Sequence, residues 1–486
     1  MTDAIPFDSR YVATQRWPRL ARQGCLWFLI AILAWAPFPL GSNREWSWGL
    51  LSILVACCWI PWAIWALATS ELQWRNLRLT WLPLSLAMIT LLWAIIQTLP
   101  IVPASWNHPL WEAAGNIIGQ SIPGIISLNP WRTANEVAKL STYLAVAWMS
   151  FTLAQSEDRA KLLLNAWIAI GTLYAVYAFV IALTGMQQFR IFYPLGSPLT
   201  LLSGPFVQRN SFATYEGIAA IAAIGRLMES GHKKILTTKG PRRLAQTALK
   251  FVFGSGAPLV IAATLTMSAL IASASRAGFF SALVALAAMA IITASRSDRE
   301  RRWRLLAAVA AIAMLLLVLT WISGGVLNER LIDLADARNA DEIRRALWGA
   351  SLRMINSAPL LGLGLGTFQD AYPMYATQIF PYIMDKAHND YLEFAAGLGL
   401  PAAIAWWAAL LWLVGKFVQG ALKRRKNRIY PLLGIGATIL VAVHSLADFS
   451  LQIPAISLTY AVLLGLALAQ SFSSRTLADA GNLVSR

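Results

Sequence analysis

The chain has 486 residues, of which 57% are hydrophobic and 13% charged, with a mean hydropathy of +0.56. A soluble domain carries about a quarter charged residues, so an ordinary soluble protein is excluded and a chain that crosses a membrane repeatedly is expected. The formal net charge of +17 raises nucleic acid as a partner, but the placement of that charge along the chain argues otherwise.

Taken in order, the chain opens with Arg10, Arg16, Arg19 and Arg22 and shows no cleavage signature. This reads as a cytoplasmic tail before a first retained helix. Apolar runs then recur at about 24–40, 48–69, 80–99, 134–154, 162–184, 210–228, 251–273, 277–294, 305–322, 396–415, 430–446 and 454–470, each near the length a membrane span needs. The expected fold is an all-α polytopic membrane protein with about twelve transmembrane helices, a single integral membrane domain over 1–486, and both termini on one side. Most of the 40 Lys and Arg residues fall in the termini and after spans 2, 4, 6, 8 and 10. Examples are Arg75, Arg78, Lys233, Lys234, Arg242, Arg243, Arg301, Arg302 and the run Lys423-Arg424-Arg425-Lys426. The positive-inside rule makes that side cytoplasmic. Basic clusters beside helix ends report topology at a lipid bilayer, and no nucleic acid is expected. Cys25, Cys57 and Cys58 lie in apolar segments without zinc spacing or a disulfide framework.

Two outward segments stand out. The first, about 100–133, contains Pro100, Pro103, His108, Pro109, Pro123, Pro130 and several tryptophans, and its low charge suits the membrane interface. The second, about 323–395, is the large hydrophilic loop between spans 9 and 10. Within it Ile343, Leu347, Ala350 and Met354 recur at helical spacing, which predicts an amphipathic helix over 339–357 stopped by Pro359. Long loops in compact proteins are usually functional.

Four outward sites carry residues suited to chemistry. At the mouth of span 6, Arg209 and Asn210 lie in Gly204 to Ala213; Arg209 either holds a phosphate bidentately or snorkels at a helix end. Between spans 7 and 8, Arg276 in Ser275-Arg276-Ala277-Gly278 is held in a very tight place, where a charge near hydrocarbon is costly without a partner. The long loop offers Arg344, Arg345 and Arg353, then Gly362, Gly364 and Gly366. This G-x-G-x-G spacing lacks a βαβ context, so it reads as a flexible turn and not as a nucleotide site. Near the outer end of span 11, His444 and Asp448 are four residues apart on one helix face; they either satisfy each other or line the cavity. Glu216, inside span 6, is a further intramembrane charge that could pair with Arg209 or Arg276, or orient His388.

The stretch His388-Asn389-Asp390-Tyr391-Leu392-Glu393 joins the long loop to span 10. An imidazole there either takes a proton from a sugar hydroxyl near neutral pH, or merely caps the next helix or lies solvated in the loop. Fixed arginines with one base suit a diphosphate leaving group and a hydroxyl acceptor, the guanidiniums taking the departing charge. No Asp-x-Asp pair or His-Glu-x-x-His motif is present to hold a metal.

At these residues the chain resembles the O-antigen ligase and polymerase superfamily of bacterial inner-membrane proteins. The resemblance rests on Phe206 to Ala213, Ser275 to Gly278, Arg344 through Trp348, Pro359 to Phe368, His388-Asn389 with Leu392 and Gly397, and Asp448. It covers roughly residues 200–470 by the order of these motifs. It implies a GT-C-like helical fold and transfer of a glycan from an undecaprenyl-diphosphate carrier to an acceptor hydroxyl on the periplasmic face. It further implies His388 as base, Arg209 and Arg276 with Arg344 or Arg345 on the diphosphate, no cofactor and no metal. Asn210, Glu216, Asn389, Glu393, His444 and Asp448 would support them. Inversion at the anomeric carbon is expected. The expected activity is that of a ligase with lipid A core as acceptor; the alternative is a polysaccharide polymerase, with another lipid-linked repeat as acceptor. A flippase for lipid-linked sugars is the competing class, although no related halves are evident.

Overall fold

The computed structural model describes residues 9–68, 74–186, 191–192, 202–235, 240–295, 334–378, 380–381, 383–424 and 426–472. Its helices are α1 (Ser9–Trp35), α2 (Glu45–Ala68), α3 (Trp74–Ile96), α4 (Pro109–Ile118), α5 (Pro130–Leu153), α6 (Glu157–Thr184), α7 (Arg209–Ile235) and α8 (Pro241–Val252). They continue as α9 (Ala257–Ala272), α10 (Arg276–Ala294), α11 (Leu334–Ser357), α12 (Phe368–Tyr375), α13 (Asp390–Leu398), α14 (Leu400–Lys423), α15 (Ile429–His444) and α16 (Pro454–Ala469). No strand occurs among the described residues.

A helix stands at each expected span except the ninth, about 305–322, which lies outside the described residues together with the start of the long loop. Among the described residues, five helices are long and apolar enough to cross a membrane: the cores of α2 and α3, and α6, α10 and α14. Shorter apolar helices fill Leu20–Trp35, Ala257–Ala272, Ile429–His444 and Pro454–Ala469. α5 and α7 meet neither description, because each carries several charges: Arg132, Glu136 and Lys139 in one, and Arg209, Glu216, Arg226 and Glu229 in the other.

The core is centred on α16, in which every residue is buried. A helix apolar all round belongs inside a bundle. It packs most closely on α5, where Gly465 leaves no room for a Cβ against the Ala147 carbonyl. Ser150 Oγ donates to Val462 O at 2.7 Å and Gln470 Nε2 to Ala154 O at 2.7 Å. Elsewhere small residues set the approach. A Cβ on Gly171 would come within 2.6 Å of Ala219 Cβ, and one on Gly278 within 2.7 Å of Ala213 Cβ. Small residues at helix contacts are how bundles in lipid pack closely, since lipid offers no hydrophobic drive between helices. The outer helices instead expose Ile53, Ile60 and Ile64 of α2, Trp81, Ile89 and Leu92 of α3, and Ile404 and Leu411 of α14. Such apolar faces are untenable in water and expected against hydrocarbon.

The amphipathic helix of the long loop is longer than the expected 339–357, running from Leu334, and it ends at Ser357, before Pro359. Leu347, Ala350 and Met354 are buried on it as their spacing requires. The glycine run departs from the expected flexible turn. Gly362, Gly364 and Gly366 have φ of 69°, 103° and 78°, and their backbone is locked. Leu363 N donates to Ala396 O at 3.0 Å, Gly364 N to Gly397 O at 2.9 Å, and Leu128 N to Leu363 O at 2.9 Å. Gln97 Nε2 adds bonds to Leu361 O at 2.7 Å and Gly397 O at 2.9 Å. The positive φ values serve close backbone approach to α13, which only glycine permits.

Candidate active site

His388 forms the turn into α13 with φ of 51°. A non-glycine residue in that region is uncommon, and such strain persists only where neighbours over-determine it. Ala387 N–H donates to Glu393 Oε2 at 2.8 Å. Asn389 caps α13, its Oδ1 accepting from Leu392 N at 3.0 Å while its Nδ2 donates to Leu446 O at 3.0 Å. Trp348 Nε1 of α11 donates to the His388 carbonyl at 3.4 Å.

The imidazole stands edge-on to Phe449, ring centroids 4.9 Å apart. Its Nδ1 lies 3.3 Å from Asp448 Oδ1, within ion-pair distance but short of hydrogen-bond geometry. The Asp448 side chain is 1% exposed, and neither of its oxygens has a hydrogen-bond partner among the described residues. A buried carboxylate requires a counter-charge or donor, and the His388 imidazole is the group that approaches Asp448 within ion-pair distance among the described residues. A proton on Nδ1 facing Asp448 leaves Nε2 with a lone pair, the tautomer a general base needs.

A buried polar network supports the turn. Asp390 accepts from Ser445 Oγ at 2.6 Å, Gln452 Nε2 at 3.1 Å and Leu451 N at 3.2 Å. Lys386 donates to Gln452 Oε1 and lies 3.5 Å from Glu393 Oε1. Burial pushes the Asp390 carboxyl up to about 7, against the opposing bonds from Ser445 and Gln452. Burial also works against charge on Lys386, but Glu393, Glu136, Asp385 and Asp390 outweigh it and hold the ammonium above its ordinary pKa.

The arginines come together through their neighbours. Arg209 begins α7 and Arg276 begins α10. Ser275 caps α10 by accepting from Gly278 N at 3.2 Å, and its hydroxyl donates to Asn210 Oδ1 at 2.9 Å. Desolvation first, then the charges of Arg276 and Arg344, hold the Arg209 guanidinium below its ordinary pKa. Three like charges thus share one region, and among the described residues neither Arg209 nor Arg276 has an ion-pair partner. Arg344 lies 3.4 Å from Asp341. Arg345 bonds within its own helix, to the Asp341 carbonyl at 3.3 Å, and is exposed.

A hydroxyl chain links the arginine end to the histidine end. Thr214, one turn along α7 from Asn210, donates to the Asn210 carbonyl at 3.2 Å. It also meets His444 Nδ1 at 2.6 Å and Ser450 Oγ at 2.8 Å, and these two lie 2.8 Å apart. Ser450 follows Phe449, the ring against His388. His444 therefore bonds across helices through Nδ1, while Asp448 faces His388. Glu216 is fully buried and neither carboxylate oxygen has a hydrogen-bond partner among the described residues. The expected pairing with Arg209, Arg276 or His388 is absent. Seven residues, about 10 Å of helix, separate it from Arg209 at the helix end.

An apolar cavity opens beside Asp390, lined by Tyr391, Phe394, Trp406, Leu410 and Tyr460. It shares Phe394, Trp406, Leu410 and Tyr460 with a second apolar cavity that reaches Leu140 of α5 and Leu84 of α3. Lys386, Phe449, Ser450 and Gln452 were not singled out from the sequence, and Asp390 only as part of the His388 stretch, with no role. The available signal was their position within two residues of His388, or within four residues after Asp448. Among the described residues, no group of three or more His, Cys, Asp or Glu could hold a metal ion.

The fold is that of a multi-pass helical membrane protein. Residues 260–407, from α9 into α14, match the family model described as O-antigen ligase. The match supports the O-antigen ligase and polymerase superfamily, and with it ligase- or polymerase-type activity on glycan substrates. It includes Arg276, Arg344, Arg345, His388, Asn389 and Glu393; Arg209, Asn210, Glu216, His444 and Asp448 lie outside it. No curated protein matches the chain.

Proposed function

We propose that this protein is a metal-independent glycosyltransferase that moves a glycan from an undecaprenyl-diphosphate carrier to an acceptor hydroxyl at the periplasmic face of the inner membrane. The observation that carries the reading is the placement of Asp448 at 3.3 Å from His388 Nδ1, with Phe449 and Ser450 leading through Thr214 to Asn210 and Ser275, next to Arg209 and Arg276.

In the reaction, His388 Nε2 takes the proton of the acceptor hydroxyl. The freed oxygen forms a bond to the anomeric carbon as the bond from that carbon to the diphosphate oxygen breaks, with inversion. The diphosphate leaves with the electron pair and meets the guanidiniums of Arg209 and Arg276, with Arg344 beside them, which stabilise charge as it develops. Asp448 holds the imidazole and stabilises its protonated form. The apolar cavities beside Asp390 suit the hydrocarbon of a lipid-linked donor. Lipid A core as acceptor makes the protein an O-antigen ligase; a second lipid-linked repeat makes it a polysaccharide polymerase.

Gel analysis of surface polysaccharide from a deletion strain separates these readings. A ligase mutant retains long chains on the lipid carrier, and a polymerase mutant retains single repeats. Repeats trapped inside the cell identify a flippase and overturn the transferase reading.

A further inference from the structure

The segment before α5 builds a second polar site, outside the family match and apart from His388. α4 is amphipathic in a specific way. Leu110, Ile117 and Ile118 are exposed along one side, while Trp111, Glu112, Gly115 and Asn116, on the side turned away from Leu110 and Ile117, line a cleft of about 620 Å³. That volume is within the range of small-molecule sites. A short helix with one exposed apolar face settles at the membrane interface with that face in the lipid, so the cleft faces away from the hydrocarbon.

The cleft walls are fixed. Trp111 Nε1 donates to Ser127 O at 3.1 Å, Gln120 N to Gly115 O at 3.0 Å, and His108 N to Ile125 O at 2.8 Å. His108 caps α4, its Nδ1 accepting from Leu110 N at 3.3 Å, and burial lowers its pKa. A neutral imidazole accepting at Nδ1 carries its proton on Nε2 and presents a donor. Asn107, Asn116 and Gln120 add amides that both donate and accept, Glu112 adds an acceptor, and Trp111 adds an aromatic surface. No Lys or Arg lines the cleft, so it is poorly suited to a phosphate. Mixed donors and acceptors around one aromatic ring, without a cation, match the hydroxyls of an uncharged sugar.

The cleft is tied to the turn bearing His388. Ser127, which accepts from Trp111, presses on Gly364, and Gly364 bonds to Gly397 near the end of α13. The nine residues of α13 then span about 14 Å back to the His388 turn.

We propose that the cleft formed by Asn107, His108, Trp111, Glu112, Asn116 and Gln120 binds the hydroxyl-rich glycan chain at sugars away from the bond being made. The placement as a remote subsite rests on the transferase reading; the glycan binding does not.

The test uses the full chain in detergent-free nanodiscs. The probe is the host's own surface polysaccharide, released from lipid by mild acid, with binding followed by saturation-transfer NMR. Native protein and the His388→Ala variant bind it equally. The double variant Glu112→Gln/Asn116→Ala changes two exposed side chains and keeps its melting temperature. It binds at least tenfold more weakly, and in a transfer assay it raises KM for the glycan about tenfold with kcat unchanged. Equal binding by native and cleft-variant protein, or no binding by native protein, overturns the proposal. If native protein transfers nothing yet binds glycan through these residues, the transferase reading falls and the glycan site stands.

Discussion

Asp448 places one carboxylate oxygen 3.3 Å from Nδ1 of His388, and the two residues meet across 60 positions of sequence through the turn after α15. A carboxylate behind an imidazole selects the tautomer and steadies the cation formed when the ring takes a proton. Replacing Asp448 with Asn keeps the size and removes the charge. Initial-rate measurements on purified Asp448→Asn protein are expected to show kcat lowered about a hundredfold or more with KM little changed, in line with the worth of a positioned general base. An unaltered kcat would detach Asp448 from the reaction.

Arg276 lies beside Ser275, which is bonded to Asn210, the neighbour of Arg209. Lysine preserves the charge at 276 but not the fork that grips two oxygens at once. Arg276→Lys is expected to retain membrane insertion and lose at least tenfold in kcat/KM for the lipid-linked donor. The same substitution at Arg345, which is exposed and bonded within α11, is expected to change turnover less than threefold. Equal effects at the two positions would argue against a local diphosphate site.

Gly364 has φ of 103°, and a Cβ there would overlap Ser127 Oγ. Gly364→Ala forces both an unfavourable dihedral and a steric displacement under α13. A loss of more than about 2 kcal/mol in stability is expected, read as a lower melting temperature and a smaller folded yield. A variant melting with the native protein would show that the turn is not packed as described.

The burial of Asp390 sets a pH dependence. Its carboxyl is raised from an ordinary value of 3.8 to about 7, so the folded protein holds this proton more tightly than the unfolded chain. The stability linked to that proton is fully present below about pH 4 and is lost as pH rises through about 7. Melting temperatures across pH 4.5 to 8 are expected to decline for native protein relative to Asp390→Asn, which has no proton to lose. Parallel curves for the two proteins would contradict the assignment.

Much of this arrangement was legible in the sequence, because a membrane imposes simple length and charge rules. Runs near the length of a span became helices, and Arg209 and Arg276 marked themselves as charges at helix mouths without nearby acidic residues. The rest depended on contacts between distant segments. The glycines at 362, 364 and 366 read locally as flexible, and only the approach of α13 makes them rigid. The i, i+4 spacing of His444 and Asp448 suggested a pair, but the helix ends at His444, and Asp448 turns to His388 while His444 turns to Thr214 and Ser450. Lys386 and Gln452 were unremarkable until the fold set them against Glu393 and Asp390. The polar face of α4 was hidden in a segment that reads as apolar and proline-rich throughout.

The central claim is that His388 serves as base for glycan transfer off a polyprenyl diphosphate. The most direct measurement is the amount of free undecaprenyl diphosphate released by purified protein in liposomes given lipid-linked glycan and acceptor. Native protein is expected to release one molecule of carrier diphosphate for each glycosidic bond formed, and His388→Ala, equally well folded, is expected to release almost none. Full release by His388→Ala, or movement of intact lipid-linked glycan across the bilayer with no bond formed, would contradict the account.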